Sequence, residues 1–144
     1  MPVVANGITN EGIVGYTDTA KEGINTITIS GRGTIGYSVI RQYEYVPIVR
    51  LIVIKPKQCI LPKYIKYAFD YLIEEGTGNS IPQLTVPMLK NKAIPLAPID
   101  EQKRIIEILD VLFERLEEAK EKLQDQIEES NVKRKTNGQI DMMK

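Results

Sequence analysis

Histidine and tryptophan are absent from this chain of 144 residues, and cysteine occurs once. Without histidine the protein lacks the commonest general base and the commonest metal ligand, and a Ser-His-Asp triad cannot form. Cys59 has no second cysteine to pair with and no histidine with which to share a metal, so we expect a buried thiol. These absences argue against an enzyme, and the sequence predicts no metal site and no cofactor.

Long apolar runs are also missing. No stretch approaches the roughly 18 consecutive apolar residues that cross a bilayer. The first ten residues, MPVVANGITN, lack the basic segment that precedes the apolar part of a secretion signal. Hydrophobic residues nevertheless make up 42% of the chain, which is enough to form a core. We therefore expect a cytoplasmic protein with one compact domain, or with a smaller domain joined to a long helix.

Basic and acidic residues are equal in number, 19 of each, but they are unevenly distributed. Residues 1–99 carry ten Lys or Arg and seven Asp or Glu, a balance of +3. Residues 100–130 carry five and eleven, a balance of −6, and residues 131–144 carry four and one, a balance of +3. This pattern suits a protein that touches a polyanion with one part and another protein with a different part, and it suits ordinary solvated faces equally well.

Strand and turn signals fill residues 1–55. Residues 25–30 read NTITIS, a strict alternation of polar and apolar residues, and residues 46–54 read VPIVRLIVI, a run rich in β-branched residues. Asn6-Gly7 and Glu11-Gly12 offer turn positions. This part of the chain predicts short strands joined by tight turns.

A helical pattern begins at Pro62 and ends at the glycines of positions 76 and 78. The apolar residues that share one face of this helix are Ile65, Phe69, Leu72 and Ile73. The segment that follows is rich in proline. It predicts loops, a helical turn over residues 86–90 and a short strand over residues 93–96.

Nothing interrupts a second helix from residue 99 to about Asn131. Asp100 stands where a cap belongs, because its carboxylate can accept backbone N–H bonds at the helix start. Apolar residues then recur at alternating spacings of four and three, the repeat of a coiled-coil seam. The helix-pairing residues of this seam are Ile105, Leu109, Leu112, Leu116, Ala119 and Leu123. They predict either a partner helix or a helix folded back on its own small domain.

Residues 31–36, Gly-Arg-Gly-Thr-Ile-Gly, match the G-x-G-x-x-G pattern of dinucleotide-binding folds. That pattern requires a helix at the third glycine, whose N-terminus holds the pyrophosphate. Here the chain continues as YSVIRQYEYVPIVRLIVI, which favours strands. We therefore interpret the segment as a glycine-rich hairpin whose turn exposes Arg32 and Thr34.

The segment from Gly76 to Leu116 reads GTGNSIPQLTVPMLKNKAIPLAPIDEQKRIIEILDVLFERL and is the most diagnostic part of the chain. Its matching residues are Gly78, Gln83, Leu84, Leu89, Ile94-Pro95-Leu96-Ala97-Pro98, Glu101-Gln102 and Ile105. In this order they resemble the junction between target-recognition domain and spacer helix in Type I restriction-modification specificity subunits. The upstream stretches VVANGITNEGIVGYTD and TITISGRGTIGYS look like the same family.

The resemblance implies a non-catalytic subunit that recognises a sequence in double-stranded DNA. Such a subunit directs methyltransferase (modification) and restriction subunits to that sequence. In the family, two recognition domains lie at opposite ends of an antiparallel helical pair, which sets the gap between two half-sites and is clasped by the methyltransferase subunits. We accordingly expect a homodimer, or pairing with the second half of a longer subunit, through the long helix.

These signals together predict an α+β fold, in which a small β-rich domain with a short helix precedes a long C-terminal coiled-coil helix. The expected division is a target-recognition domain over residues 1–98, a spacer or dimerisation helix over 99–131 and a basic tail over 132–144. Members of the resembled family usually have more sequence before the turn that here starts at Asn6. A trimmed fragment, a half-length natural subunit and a gene product that has lost its start each fit this difference.

Polar side chains in the predicted loops are candidates for DNA contact, because donors and acceptors recognise base edges and positive charge attracts phosphates. The candidate DNA-binding residues are Asn6, Thr9, Asn10, Arg32, Thr34, Asn79, Ser80, Gln83, Thr85, Lys90 and Lys92. Turn formation and helix capping explain the polar loop residues equally well.

Two other functions are compatible with the same sequence. A coiled-coil assembly or scaffold protein would use the seam, and its loops would be indifferent to DNA. A specificity domain excised from a single-chain DNA methyltransferase would use the loops, and its missing sequence would encode a cofactor-binding domain.

Overall fold

The computed structural model describes residues 1–77 and 83–142. They form two compact units: Met1–Arg104, here called the head, and the remainder of a long helix from Ile105. The strands are β1 (Pro2–Val4), β2 (Ile13–Tyr16), β3 (Thr26–Ser30), β4 (Ser38–Arg41), β5 (Val46–Pro47) and β6 (Leu51–Ile54). The helices are α1 (Pro62–Thr77), α2 (Val86–Lys90) and α3 (Ile99–Met142), and a 3₁₀ turn covers Thr9–Gly12. The α+β architecture expected from the sequence is confirmed.

The strands of the head form two small sheets. In the first, with the order β2-β1-β5, β1 runs antiparallel to β2 and parallel to β5. In the second, with the order β4-β3-β6, both neighbours run antiparallel to β3. The glycine-rich segment is the turn of the β3–β4 hairpin, in which Ile29 lies opposite Ser38. A strand thus follows the third glycine, where a dinucleotide-binding fold requires a helix.

One apolar core joins the second sheet to α1. Its buried members are Ile27, Ile29, Ile52, Ile65, Phe69, Ile73, Leu84 and Leu89. Three of the four residues predicted for the packing face of α1 belong to this cluster, and Leu72 is half-buried. Because Leu84 and Leu89 are also members, α2 and the segment before it are packed against the same core as the hairpin.

All five residues of β3 are buried, although the alternation in NTITIS is typical of a strand with one solvated face. The polar side chains are tolerated because their hydroxyl groups are hydrogen-bonded. Thr26 Oγ1 lies 2.7 Å from the hydroxyl of Tyr45, and Thr28 Oγ1 accepts a bond of 3.0 Å from Arg41 Nε. Burial raises the pKa of Tyr45, so its phenol stays neutral inside the head.

The run over residues 46–54 is two strands rather than one continuous strand. β5 ends at Pro47 and β6 begins at Leu51, and Arg50 between them has a φ of 76°. A residue in this left-handed conformation turns the chain out of the extended path and breaks the ladder. The expectation of a short strand over residues 93–96 is also wrong. These residues form no strand, since Pro95 has no N–H to donate to a sheet.

Two expectations about single residues are wrong. Cys59 is exposed rather than buried, because it lies in the connection from β6 to α1. Its backbone carbonyl, and not its thiol, is the group that bonds to the rest of the head, by accepting a hydrogen bond from Gln102. Asp100 is not the cap of α3. The helix begins at Ile99, which places Asp100 in the first turn, where its negative charge favours the positive end of the helix dipole.

The long helix also extends further than the sequence indicated. It continues past Asn131 to Met142, because no proline follows Pro98 to stop it. Residues 132–142, which were expected to form a basic tail, are therefore helical. The division of the chain into a recognition domain, a spacer helix and a tail with separate functions stays a prediction. No helix within the described residues is long and apolar enough to cross a membrane.

Candidate nucleic-acid interface

Three loops from separate parts of the head meet at Gly31, the first residue after β3. The Gly31 N–H donates to Asn6 Oδ1 at 2.8 Å, and the Gly31 carbonyl accepts the N–H of Leu84 at 2.8 Å. The N–H of Gly7 donates to Ser30 Oγ at 3.3 Å. These contacts, here called the Gly31 junction, bind the first turn and the segment after α1 to the hairpin.

Only glycine fits at the centre of this junction. A Cβ atom on Gly31 would lie 2.7 Å from the carbonyl oxygen of Leu84 and 3.0 Å from that of Arg50. Both neighbours are backbone atoms, which cannot move aside as the end of a flexible side chain can. Close backbone packing therefore fixes the three loops relative to one another.

Arg32 and Gln83 lie side by side at the junction. Arg32 Nη2 donates to Gln83 Oε1 at 3.2 Å, and both side chains are exposed. The bond joins two candidates from different loops, and within the described residues the remaining guanidinium N–H groups and the Gln83 amide NH₂ have no acceptor. The pair can therefore donate to an acceptor outside the protein while its own geometry is held.

Thr34 is exposed at the tip of the hairpin turn. The turn bends sharply because Gly33 and Gly36 have φ values of 68° and 86°, which glycine adopts without steric cost. It is closed by bonds from the N–H of Gly36 to the carbonyl of Ser30 and from the N–H of Tyr37 to the carbonyl of Thr34. The turn is thus internally hydrogen-bonded, and it presents Thr34 on a defined backbone.

Thr9 and Asn10 are exposed in the 3₁₀ turn, which a buried arginine supports. Asn10 and Glu11 both have left-handed φ values, 50° and 52°. Arg41, only 1% exposed, donates from Nη2 to the carbonyl of Glu11 at 2.7 Å and from Nη1 to the hydroxyl of Tyr43 at 2.8 Å. Its bonds hold the turn in this conformation.

The remaining candidates are less closely grouped. Thr85 precedes α2 without a side-chain cap bond, Lys90 is the exposed last residue of that helix, and Lys92 follows it half-buried. Among the described residues, no hydrogen bond joins these three side chains to Arg32 or Gln83. Asn79 and Ser80 lie outside the described residues.

Gln102 attaches the first turn of α3 to the rest of the head. It is fully buried, and its Oε1 accepts the N–H of Leu61 at 2.9 Å. Its Nε2 donates to the carbonyls of Cys59 at 2.9 Å and Ala97 at 2.8 Å. All the polar atoms of the side chain are thus satisfied by backbone from two other segments of the head.

The helical unit from Ile105 presents its predicted seam to solvent. Leu112, Leu116 and Leu123 are 48%, 53% and 59% exposed, and every residue from 111 to 138 is exposed. Ile127, 53% exposed, extends the apolar row by one further turn. A row of large apolar side chains along one helix face is typical of a surface that another helix covers.

Comparison with known proteins shows the family. Residues 1–129 match the family model described as the type I restriction modification DNA specificity domain. The chain belongs to this family.

The relatives of this specificity domain include type I specificity subunits of Mycoplasma pneumoniae. One is 31% identical over 88% of the chain, which spans 38% of that relative's length. Another, described as the C-terminus of a type I specificity subunit, is 33% identical over 78% of the chain and 78% of its own length. The specificity domain thus spans well under half of the first relative and most of the second.

Two solved structures share its fold. A chain from a type I R-M system complex matches with a TM-score of 0.65 at 20% identity, over 79% of this chain and 31% of that one. The type I S subunit of M. genitalium matches with a TM-score of 0.62 at 19% identity, over 86% of this chain and 34% of that one. The fold of the specificity domain is therefore similar to parts of these two chains.

Sequence reasoning missed two arginines near the specificity domain's loops, Arg41 and Arg50. Neither lies in a motif, and each stands in a stretch that reads as strand. Arg41 ends β4 as a buried residue, which its charge alone would not predict. Arg50 follows the apolar Ile48 and Val49, and only the strand break shows its position beside Gly31.

Proposed function

We propose that this chain recognises a DNA sequence as a specificity subunit, or as part of one, in a type I restriction-modification system. It directs the methyltransferase and restriction subunits of that system to the sequence. The observation that carries this proposal is the Gly31 junction, in which bound loops present Arg32 and Gln83 together. Membership of a DNA specificity family supports the same assignment.

The chemistry of the Arg32–Gln83 pair suits base recognition. Arginine makes its commonest specific contact with the O6 and N7 atoms of guanine, and glutamine with the N6 and N7 atoms of adenine. The bond of 3.2 Å between the two side chains orients both before DNA arrives. Thr34, Asn10 and Thr9 are exposed on neighbouring turns and add further donors and acceptors.

Phosphate contacts complete the interface in this proposal. Lys90 and Lys92, with other basic residues of the head, attract the phosphates of the DNA backbone. Two lysines are already paired within the protein, Lys55 with Glu22 at 2.7 Å and Lys66 with Asp70 at 2.8 Å. Because residues 1–99 carry a balance of only +3, we expect moderate affinity with strong salt dependence, and tighter binding when a partner closes around the duplex.

The helix provides the assembly surface of the proposed subunit. Its exposed seam pairs antiparallel with a second copy of the chain or with the other half of a longer subunit, and the methyltransferase subunit binds to the pair. The chain itself acts without catalysis and without a cofactor. It works in the cytoplasm, where the DNA and the other subunits of the system are found.

Selection of DNA by the assembled complex tests the proposal. The chain is purified with the modification subunit of its own system, and the duplexes that it binds in a random library are sequenced. The native complex should enrich one motif. Arg32→Ala and Gln83→Ala should each relax one or two base pairs of that motif and weaken binding by roughly tenfold or more.

Arg104→Ala is the matched control, because it removes the same charge from an exposed arginine that pairs with Glu101. It should leave the enriched motif unchanged. A stable complex that enriches no motif would contradict the proposal and favour an assembly protein that uses only the seam.

A further inference from the structure

Arg50 is a strained residue in the connection between β5 and β6. Its φ of 76° lies in the left-handed region, which a bulky side chain rarely occupies. Leu51, the next residue, pairs with Ser30 at the end of β3. Because β3 and β6 are antiparallel, Arg50 and the chain just beyond Ser30 leave the sheet at the same end.

The backbone of Arg50 is part of the Gly31 junction. Its carbonyl oxygen would be 3.0 Å from a Cβ on Gly31, whose N–H is bound by Asn6. Arg32 follows Gly31 directly. The connection that carries Arg50 is therefore packed against the loops that hold the Arg32–Gln83 pair.

Arg50 also differs from other arginines of the head in its partners. Arg41 lies 3.8 Å from the carboxylate of Glu11, and Arg104 lies 2.6 Å from that of Glu101. Arg50 is exposed, and within the described part of the chain its side chain has no hydrogen bond or ion pair. Among the residues that the structure describes, Arg32 bonds only to the neutral amide of Gln83. Two guanidinium groups that have no carboxylate partner in this described part thus flank one backbone junction.

Stability alone does not account for an arginine at this position. Glycine adopts a φ of 76° without steric cost, whereas a side chain with a Cβ is strained there. Residues held in such conformations cluster at sites where a side chain or backbone has a binding role. The unpaired positive charge indicates that the ligand is an anion.

We propose that Arg50 contacts a DNA phosphate beside the base pairs that Arg32 and Gln83 recognise. This inference rests on the proposed function and adds a phosphate-binding residue to it. A single guanidinium without an orienting partner acts as a charge that positions the duplex, while the paired Arg32 supplies base recognition.

Three substitutions at one position separate charge from strain. Arg50→Gly removes both, Arg50→Ala removes the charge and keeps the strain, and Arg50→Lys keeps both. The Gly variant should melt roughly 3 to 6 °C above the Ala variant. In complex with the modification subunit, the Gly and Ala variants should bind DNA about fivefold more weakly at 0.15 M salt, with a salt slope smaller by about one. The Lys variant should retain most of the affinity.

Asn25→Gly is the matched control, since Asn25 has a φ of 60° just before β3, at the opposite end of that strand from Gly31. It should leave DNA affinity unchanged. Native affinity in the Gly and Ala variants would overturn the inference, and a change in the enriched motif would show a base contact instead of a phosphate contact. Failure of the native complex to enrich any motif would overturn the proposed function, and this inference with it.

Discussion

At the scale of single residues, Gln102 is a buried side chain that joins α3 to the backbone of the head. Its buried amide is bonded to the backbone at Leu61, Cys59 and Ala97. Loss of this amide leaves one N–H and two carbonyls in the head without their partner. Buried polar groups that lose their partners are costly, since they cannot return to water.

Gln102→Glu tests this role with almost no change of shape. The new carboxylate oxygen faces the two carbonyls of Cys59 and Ala97 and cannot donate to them, so we expect the variant to be destabilised by roughly 2 to 4 kcal/mol. Urea unfolding followed by circular dichroism measures the difference. Gln124→Glu, the same change at an exposed position of α3, should alter stability by less than about 0.5 kcal/mol. Equal stability of the two variants would disprove the role given to Gln102.

Local chemistry could identify candidate residues, but not the contacts between them. Arg32 and Gln83 were predicted from polar loop positions 51 residues apart, and no sequence pattern reports that their side chains bond. Asn6 was predicted as a DNA contact, and in the structure its side-chain oxygen holds Gly31. Arg41 and Arg50 stayed unnoticed because burial and backbone conformation are properties of the folded chain.

At the scale of elements, the spacing of apolar residues predicted the regular helices and strands. It did not predict where a strand is interrupted. Strand β3, helix α1 and the long helix follow from alternating or helical spacing within the sequence. The break at Arg50 and the burial of both faces of β3 depend on packing between the loops and sheets. Helix α3 continues to Met142 although the apolar seam becomes weaker, because no helix-breaking proline follows Pro98.

The seam of α3 predicts one register for the proposed pairing with a second copy. An antiparallel alignment that sets Ile105 beside Leu123 also sets Leu109 beside Ala119 and Leu112 beside Leu116. All six seam positions are then covered at once, and the two-fold axis passes near residue 114. Arg115, which flanks the seam, meets the same residue of the second copy at that axis.

Oxidative cross-linking tests this register. In a Cys59→Ser background, Arg115→Cys should form a disulfide-linked dimer, because the two Cβ atoms approach within bonding range only in the antiparallel alignment. Glu114→Cys, its neighbour on the opposite helix face, should remain monomeric on denaturing gels. Cross-linking through Leu123→Cys would reveal a parallel pair, and no cross-link at any position would indicate that the partner helix comes from a different sequence.

At the scale of the whole molecule, the two units expose surfaces of different chemistry. The head holds exposed polar side chains on loops bound at the Gly31 junction, and the helix exposes an apolar row. In the proposed function, DNA recognition belongs to the head and subunit assembly belongs to the helix. Under that proposal, the chain directs a reaction that other subunits catalyse.

Mapping of methylated bases tests the central claim, sequence recognition by the head, most directly. The chain is expressed with the modification subunit of its own system in a host that lacks both, and modified bases are located by single-molecule sequencing. We predict methylation at one short interrupted motif, which changes or disappears with Arg32→Ala or Gln83→Ala and persists with Arg104→Ala. A motif that is unaffected by both junction variants, or an assembled complex that methylates no defined sequence, would contradict the account.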